Sequence, residues 1–381
     1  MRIAILSELF PPSVGGQEIR FAELAEVLVR QGHTVDVFCL AHDAAVPACE
    51  TLSPGLTVTR RPRVADYRRP NSKLLPRSLT GMVRYAVAAR RWLAQGQFDA
   101  IIMNQWPLLH VLAIRSRDRR RAVIDWCEIR PRLAYRLFQG VLPKLCAANT
   151  AVSKDVQTHI AARSRGPVML MPSGIMAGRY AIGAASSRSG LLYVGRLAQH
   201  KGVPLLVAAF TELRRRGHAC TLTIAGEGPD RPAIEAAVAG SSYAHGITLL
   251  GEVNEEWKRS LLASSKVLVL PSQREGFPRV VAEAMASALP IVTANYPGNG
   301  TVGVLRQAGC GVSANPTAAG IADAVEAVLS EWDRYSHRAE LAAGRLDWEQ
   351  LAAELAPFLQ AAASGGARTR VVANTAQPVL T

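Results

Sequence analysis

Two carboxylates, Glu275 and Glu283, stand close together in the run Pro271-Ser-Gln-Arg-Glu-Gly-Phe-Pro-Arg-Val-Val-Ala-Glu-Ala-Met-Ala286. The preceding Lys266-Val-Leu-Val-Leu270 is a short β-branched apolar run without polar alternation, the pattern of a strand buried on both faces. Glu275 therefore falls just past a strand's carboxyl end. Pro278 suits the first position of a helix whose Val281, Ala284, Met285 and Ala288 recur at helical spacing. The backbone N–H groups from Gly276 and Phe277 to Arg279 then point outward without intrahelical partners, which makes an anion site. Glu283 lies about one and a half turns into the helix, at ~1.5 Å rise per residue. One carboxylate is thus near the anion while the other reaches a ligand's far end, as phosphate-and-sugar binding requires. A bare pair of glutamates at this spacing is more often a loop carboxylate and an exposed helix residue, and it is the longer pattern that argues otherwise.

That longer pattern, E-G-F-P-x-V-x-x-E-A-M-A, resembles the E-x7-E signature of the retaining glycosyltransferases of family 4. The resemblance implies an α/β chain of the GT-B fold, two doubly wound Rossmann-like domains facing across a cleft. It also implies that Glu275 binds hydroxyls of a donor sugar and Glu283 the donor's ribose, with Gly276, Phe277 and Pro278 beside them. Gly195-Arg-Leu-Ala-Gln-His-Lys-Gly202 resembles the family's G-R-L-x-x-x-K-G. Arg196 at a strand end and Lys201 at the next helix start would converge on a pyrophosphate, the arginine by its fork and the lysine as a point charge. Arg196, Lys201 and Glu275 are the candidate catalytic set. Gly226-Glu-Gly-Pro229 matches a G-x-G-P placed close to the nucleotide. Gly251-Glu-Val253 resembles the turn that cradles the base through backbone contacts, so the base is poorly encoded in side chains. Gly15-Gly16 lies between a strand end and a helix start, where open α/β sheets bind ligands, and the family carries a Gly-Gly there near the donor phosphates and the acceptor.

The chain departs from the family at three places. Ser173 replaces the Asn of P-N-G. Pro297-Gly-Asn-Gly-Thr-Val302 lacks the glutamate of G-G-x-x-E. Asp125 stands where many relatives have a histidine near the reacting carbon. Candidates for the acceptor are Glu8 in the first loop, Gln105 and Trp106 after one strand, and Asp125, Trp126 and Glu128 after the next. Trp106 and Trp126 read equally as core packing or as platforms for a sugar ring.

These groups need a scaffold, and alternating strand and helix patterns supply it. Strands are expected at Arg2–Leu6, His33–Leu40, Thr57–Arg60, Ala100–Asn104, Ala122–Asp125 and Ala148–Ser153. Helices are expected after Gly16, at Leu79–Leu93, near Leu108–Arg115 and near Leu133–Cys146. Proline-rich Asp43–Pro76 reads as a mobile excursion with little regular structure. Residues 1–172 are expected to form an acceptor domain, 173–189 a linker, 190–346 a donor domain, 347–361 a helix crossing back, and 362–381 a disordered tail.

The chain has 381 residues, enough for two cores, with 49% hydrophobic and 19% charged. Its six cysteines are scattered without a C-x-x-C pair, which suggests neither a disulfide framework nor a zinc site and fits a reducing cytoplasm. It opens directly on a strand, without a signal-peptide pattern, and has no run long enough to span a membrane. Residues 1–170 carry 25 of the 44 Lys and Arg but only 13 of the 30 Asp and Glu. Such a basic half attracts anionic surfaces, although arginine is also a common choice for a solvated face. Arg77, Arg84 and Arg91 recur every seventh residue, opposite Met82, Ala86, Ala89 and Leu93, so the Leu79–Leu93 helix is basic and amphipathic. A peripheral contact with an anionic inner-membrane surface is one expectation, and packing on the domain's own sheet is the other.

The expected activity is transfer of a hexose-type sugar from a nucleoside diphosphate, UDP above all, to a hydroxyl acceptor. There is no D-x-D, so no metal site and no cofactor are expected, and cations with a helix start must meet the leaving charge. A sugar-nucleotide epimerase would call for more histidines and acids in the cleft. A non-catalytic nucleotide-sugar binder would be expected to lose Arg196, Lys201 or Glu275. Nucleic acid is not an expected partner, because no recognition motif accompanies the charge.

Overall fold

The computed structural model describes residues 1–13, 15–43, 45–64, 78–130 and 133–365. It divides into two compact units, Met1–Pro172 with the segment from Trp348 onward, and Ser173–Asp347.

In the first unit, β1 (Arg2–Leu6) leads through a loop to α1 (Gly16–Arg30), then β2 (Thr34–Ala41). Next come β3 (Cys49–Ser53), β4 (Leu56–Arg63), α2 (Leu79–Gln95) and β5 (Ala100–Asn104). The short α3 (Leu109–Ala113) and α4 (Ser116–Arg119) precede β6 (Ala122–Trp126), and α5 (Leu133–Val141), β7 (Ala148–Ala151), α6 (Lys154–Ala161) and β8 (Val168–Leu170) follow. The sheet order is β3-β4-β2-β1-β5-β6-β7-β8, parallel except for β3. Continuous apolar runs such as Ile3–Leu6 and Ile101–Met103 are fully buried, as expected of strands covered on both faces.

The described part of Asp43–Pro76 corrects an expectation. It holds a hairpin, because Pro54 and Gly55 occupy the turn between β3 and β4 rather than breaking either strand, and Gly55 has φ +90°. In β4, Leu56, Val58 and Arg60 alternate inward. Buried Arg60 is matched by Glu50 at 2.8 Å and the Pro11 carbonyl at 3.0 Å. Residues 65–76 lie outside the described set, as does the tail from residue 366.

The second unit runs β9 (Ser189–Val194), α7 (Val203–Arg215), β10 (Leu222–Ala225), α8 (Arg231–Ala239), β11 (Ile247–Gly251) and α9 (Glu255–Ser264). It continues with β12 (Ser265–Leu270), β13 (Arg274–Glu275), α10 (Arg279–Ala286), β14 (Ile291–Ala294) and β15 (Gly298–Asn299). The unit closes with α11 (Thr301–Ala308), β16 (Gly311–Ala314), α12 (Ala318–Ser330) and α13 (Trp332–Gly344). Its main sheet is parallel, in the order β11-β10-β9-β12-β14-β16. Residues 173–189, expected as a linker, belong to this unit. Buried Arg188 ties them down by donating to the carbonyls of Gly183, Leu262, Ser265 and Ser287.

The last helix, α14 (Trp348–Ala363), belongs to the first unit. Trp348 is fully buried there and donates through Nε1 to Glu23 Oε2 at 2.8 Å, while Gln31 Nε2 donates to the Glu349 carbonyl at 2.8 Å. No helix among the described residues is long and apolar enough to cross a membrane.

Candidate active site

In the second unit, the strand ends gather most of the expected donor residues. Lys201 sits in a 3₁₀ turn after β9, and its Nζ donates to Glu275 Oε1 at 2.5 Å. Gly202 follows with φ +67°, and a Cβ there would run into the Pro271 carbonyl, so glycine is what lets this turn lie against the exit of β12. Arg196 is exposed at the end of β9 and has no ion pair to any described residue.

Glu275 owes its place to a neighbour that the sequence left unassigned. β13 and β15 pair in parallel with Glu275 opposite Asn299, and Gly300 N–H donates to the Glu275 carbonyl at 2.9 Å. Asn299 in turn donates through Nδ2 to Thr293 Oγ1 and the Ala294 carbonyl. The Pro297–Val302 loop thus braces the motif through backbone and amide bonds, without the glutamate of the G-G-x-x-E pattern it resembles. Ser173, too, has a consequence: its hydroxyl donates to the Phe277 carbonyl at 3.0 Å.

α10 begins at Arg279 with Pro278 as the flanking residue and no side-chain cap on its first turn. One turn on, Glu283 is buried and receives Lys258 Nζ at 2.9 Å and Arg279 Nε at 2.8 Å. Both cations were missed at the sequence level. Arg279 could have been found four residues before Glu283 on the same helix face, whereas Lys258, 25 residues away on α9, gave no signal.

The glycines shape the loops. Gly226 has φ +144°, and a Cβ there would overlap the Gly195 carbonyl oxygen, so the exits of β9 and β10 can approach only with glycine at that point. Gly226 N–H donates to the Gly251 carbonyl at 2.7 Å, which sets the half-buried Val253 turn beside them.

In the first unit, β5 and β6 lie side by side with Asn104 opposite Asp125, as the strand-end reading expected. Two acceptor candidates are corrected. Asp125 is buried and clamped by Arg20, whose Nε and Nη2 donate to its two oxygens at 3.2 and 3.1 Å, while Thr150 adds a hydroxyl bond at 2.7 Å. Its carboxylate is spent on structure. Arg20 also donates to the Met171 and Pro172 carbonyls and lies over the Trp348 ring. Trp126 is fully buried, with Nε1 bonded to Asn149 Oδ1 at 2.8 Å, so the packing reading holds for it and it presents no face to a sugar.

Buried Gln105 accepts the N–H groups of Cys127 and Glu128 and so shapes the loop after β6. Trp106 remains half-exposed, with the Arg130 guanidinium 4.4 Å from its ring centre and Arg130 paired to Glu128 at 2.6 Å. Burial is the largest influence on Arg130 and opposes its charge, but Glu128 and Tyr135 together outweigh it and the guanidinium pKa is raised. Glu8 is buried in the loop after β1. Gly15 caps α1, and Gly16 opens it with space where a side chain would be.

Residues 14–179 match the family model described as Glycosyltransferase Family 4, and residues 181–345 match Glycosyl transferases group 1. The chain is 34% identical over 224 residues to a glycogen synthase of Mycobacterium tuberculosis, a match covering 57% of this chain and 54% of that one. It therefore spans about half the length of that relative. It is 27% identical to the phosphatidyl-myo-inositol mannosyltransferase of the same organism, over 97% of this chain and 100% of the relative. Among solved structures it resembles a sucrose-phosphate synthase from Thermosynechococcus elongatus, with a TM-score of 0.78 at 19% identity, over 94% of this chain and 98% of that one. That likeness identifies the fold as GT-B, and the two matched models, over residues 14–179 and 181–345, identify the chain as a member of glycosyltransferase family 4.

Proposed function

We propose that the protein is a retaining glycosyltransferase that moves a hexose-type sugar from UDP to a hydroxyl acceptor without a metal ion. The Lys201–Glu275 pair carries the reading. It puts a cation and a sugar-binding carboxylate beside the open N-terminal turn of α10, with unpaired Arg196 at the neighbouring strand end. As the bond from the anomeric carbon to the diphosphate oxygen breaks, negative charge grows on that oxygen. Lys201 and the α10 N–H groups meet it with fixed donors, and exposed Arg196 adds its charge. The acceptor oxygen forms its bond on the same face, and its proton passes to the departing phosphate, so no side chain need act as nucleophile. Glu8, Trp106 and Glu128 remain the acceptor-side candidates. The test is transfer from UDP-, GDP- and ADP-hexoses to a panel of hydroxyl acceptors, with product anomers assigned by NMR. Inversion at the anomeric carbon, or nucleotide-sugar binding with no transfer to any acceptor, refutes the proposal.

A peripheral contact with an anionic membrane is proposed as well, on a corrected footing. The apolar side named from the sequence, Met82, Ala86, Ala89 and Leu93, is buried within the unit's own core. A second stripe, Leu79, Val83 and Val87, is exposed beside Arg84 and Arg91. Those arginines and Arg61 and Arg63 of β4 line a groove of about 650 Å³ that contains Val87 and Trp92 and, among the described residues, no acidic one. Mixed arginine and aliphatic surface suits a phosphate-bearing bilayer face. Co-flotation with anionic vesicles at low salt, weakened in Val83→Glu/Val87→Glu, is expected, and absence of co-flotation sinks it.

A further inference from the structure

The bonds to Glu283 are one-sided. Lys258 and Arg279 both donate to Oε1, at 2.9 and 2.8 Å, and no described residue bonds to Oε2. The carboxylate is almost fully buried, where an uncompensated charge would be costly, and two cations compensate it. They approach from different elements, Arg279 from the same helix one turn earlier and Lys258 from α9. Two donors fixed on one oxygen stop the carboxylate from turning. The orientation of Oε2 is thereby set before any ligand arrives.

Lys258 is itself anchored. Its side chain is only 12% exposed, and Nζ also bonds Glu255 Oε1 at 2.9 Å. It stands on the first turns of α9, which is capped by Asn254 through a bond from Trp257 N–H at 2.7 Å, immediately after Val253. The element that presents the base-side turn therefore also grips the carboxylate assigned to the sugar of the nucleoside.

We propose that Lys258 is a positioning residue for donor recognition: it holds Glu283 so that Oε2 receives the vicinal hydroxyls of a ribose, and it thereby sets discrimination against 2′-deoxyribonucleotides. This rests on the reading of Glu283 as the ribose-binding residue. Two adjacent hydroxyls offer two donors to a fixed, cation-paired acceptor, and loss of one costs a charge-assisted bond. With Arg279 alone the carboxylate is free to swing, and the second bond loses its geometry.

The test is calorimetric titration of the full chain with UDP, GDP and ADP, each against its 2′-deoxy counterpart. For the base that binds, the wild type is expected to prefer the ribonucleotide by on the order of tenfold. Lys258→Met should abolish most of that preference while leaving the deoxynucleotide's affinity within about twofold, and Lys258→Arg should restore it. Glu283→Gln should lose it as well. Should Lys258→Met keep the full preference while Glu283→Gln loses it, the role of Lys258 is refuted and the ribose reading stands. Equal weakening of both nucleotides in Lys258→Met, with a lowered Tm, marks a purely structural residue and also refutes it. No preference in the wild type for any base overturns the ribose reading and the lysine's role with it.

Discussion

Lys201 Nζ lies 2.5 Å from Glu275 Oε1, with both side chains largely shielded from water. One residue follows β9 and the other follows β12, so the pair joins two strand ends through opposite charges. Lys201→Ala should lower turnover at saturating donor by about 10²- to 10³-fold, the loss typical of one fixed donor to a developing oxyanion. Glu275→Ala should fall comparably, and the double variant by much less than the product, because each residue orients the other. Wild-type turnover in purified, folded Lys201→Ala would remove the site assignment.

Metal dependence gives a second prediction. With Arg196 and Lys201 meeting the leaving charge, transfer should persist in excess EDTA. Loss of activity restored by Mg²⁺ or Mn²⁺ would contradict the proposed mechanism.

Asp125 should behave as a structural residue. Asp125→Ala leaves the buried Arg20 guanidinium without its bidentate partner, and the expected loss is roughly 3–5 kcal/mol of stability for a broken buried pair. Denaturant unfolding of the first unit measures it. A variant of unchanged stability with a raised KM for acceptor alone would return Asp125 to the acceptor site.

His110 supplies a pH signature. It is fully buried against Tyr85, and burial pushes its pKa down to about 3 from the usual 6.5. The unfolded chain takes up a proton on this ring as pH falls through 6.5, and the folded chain does so only near 3. Its contribution to stability is therefore complete above about pH 6.5 and declines as pH falls toward 3. Between pH 7 and 5 the wild type should lose about 2 kcal/mol more than His110→Phe, at ~1.4 kcal/mol per pH unit. Parallel unfolding curves for the two proteins over that range would exclude the effect.

Much of this architecture could be read from local pattern, and the gaps have physical causes. β12 and α10 were legible because apolar runs and a helix-start proline encode themselves within a few residues. β3 was not, since Cys49–Ser53 is an edge strand with no fully buried side chain and hence no apolar face to betray it. Trp126 read equally as core or as a sugar platform, and β6, running one residue further than expected, decides for the core by pairing Trp126 with Ala151 and drawing the indole inside. Arg20 occurs in an ordinary helix sequence, and its partner is 105 residues away. Lys201, Glu275 and the glycines were singled out by motif, but Lys258 and the Pro297–Val302 brace depend on tertiary neighbours that no short window contains.

The first unit is discontinuous in the chain: its core includes Trp348, made after the whole second unit. During synthesis, Ser173–Asp347 can close on itself while the earlier unit still exposes the face of α1 that α14 will cover. Folding order thus runs against chain order, and Trp348, on reaching Glu23, is the event that completes the older half. A fragment ending at residue 172 lacks that piece of its own interior, whereas supplying residues 348–363 in trans should make it whole.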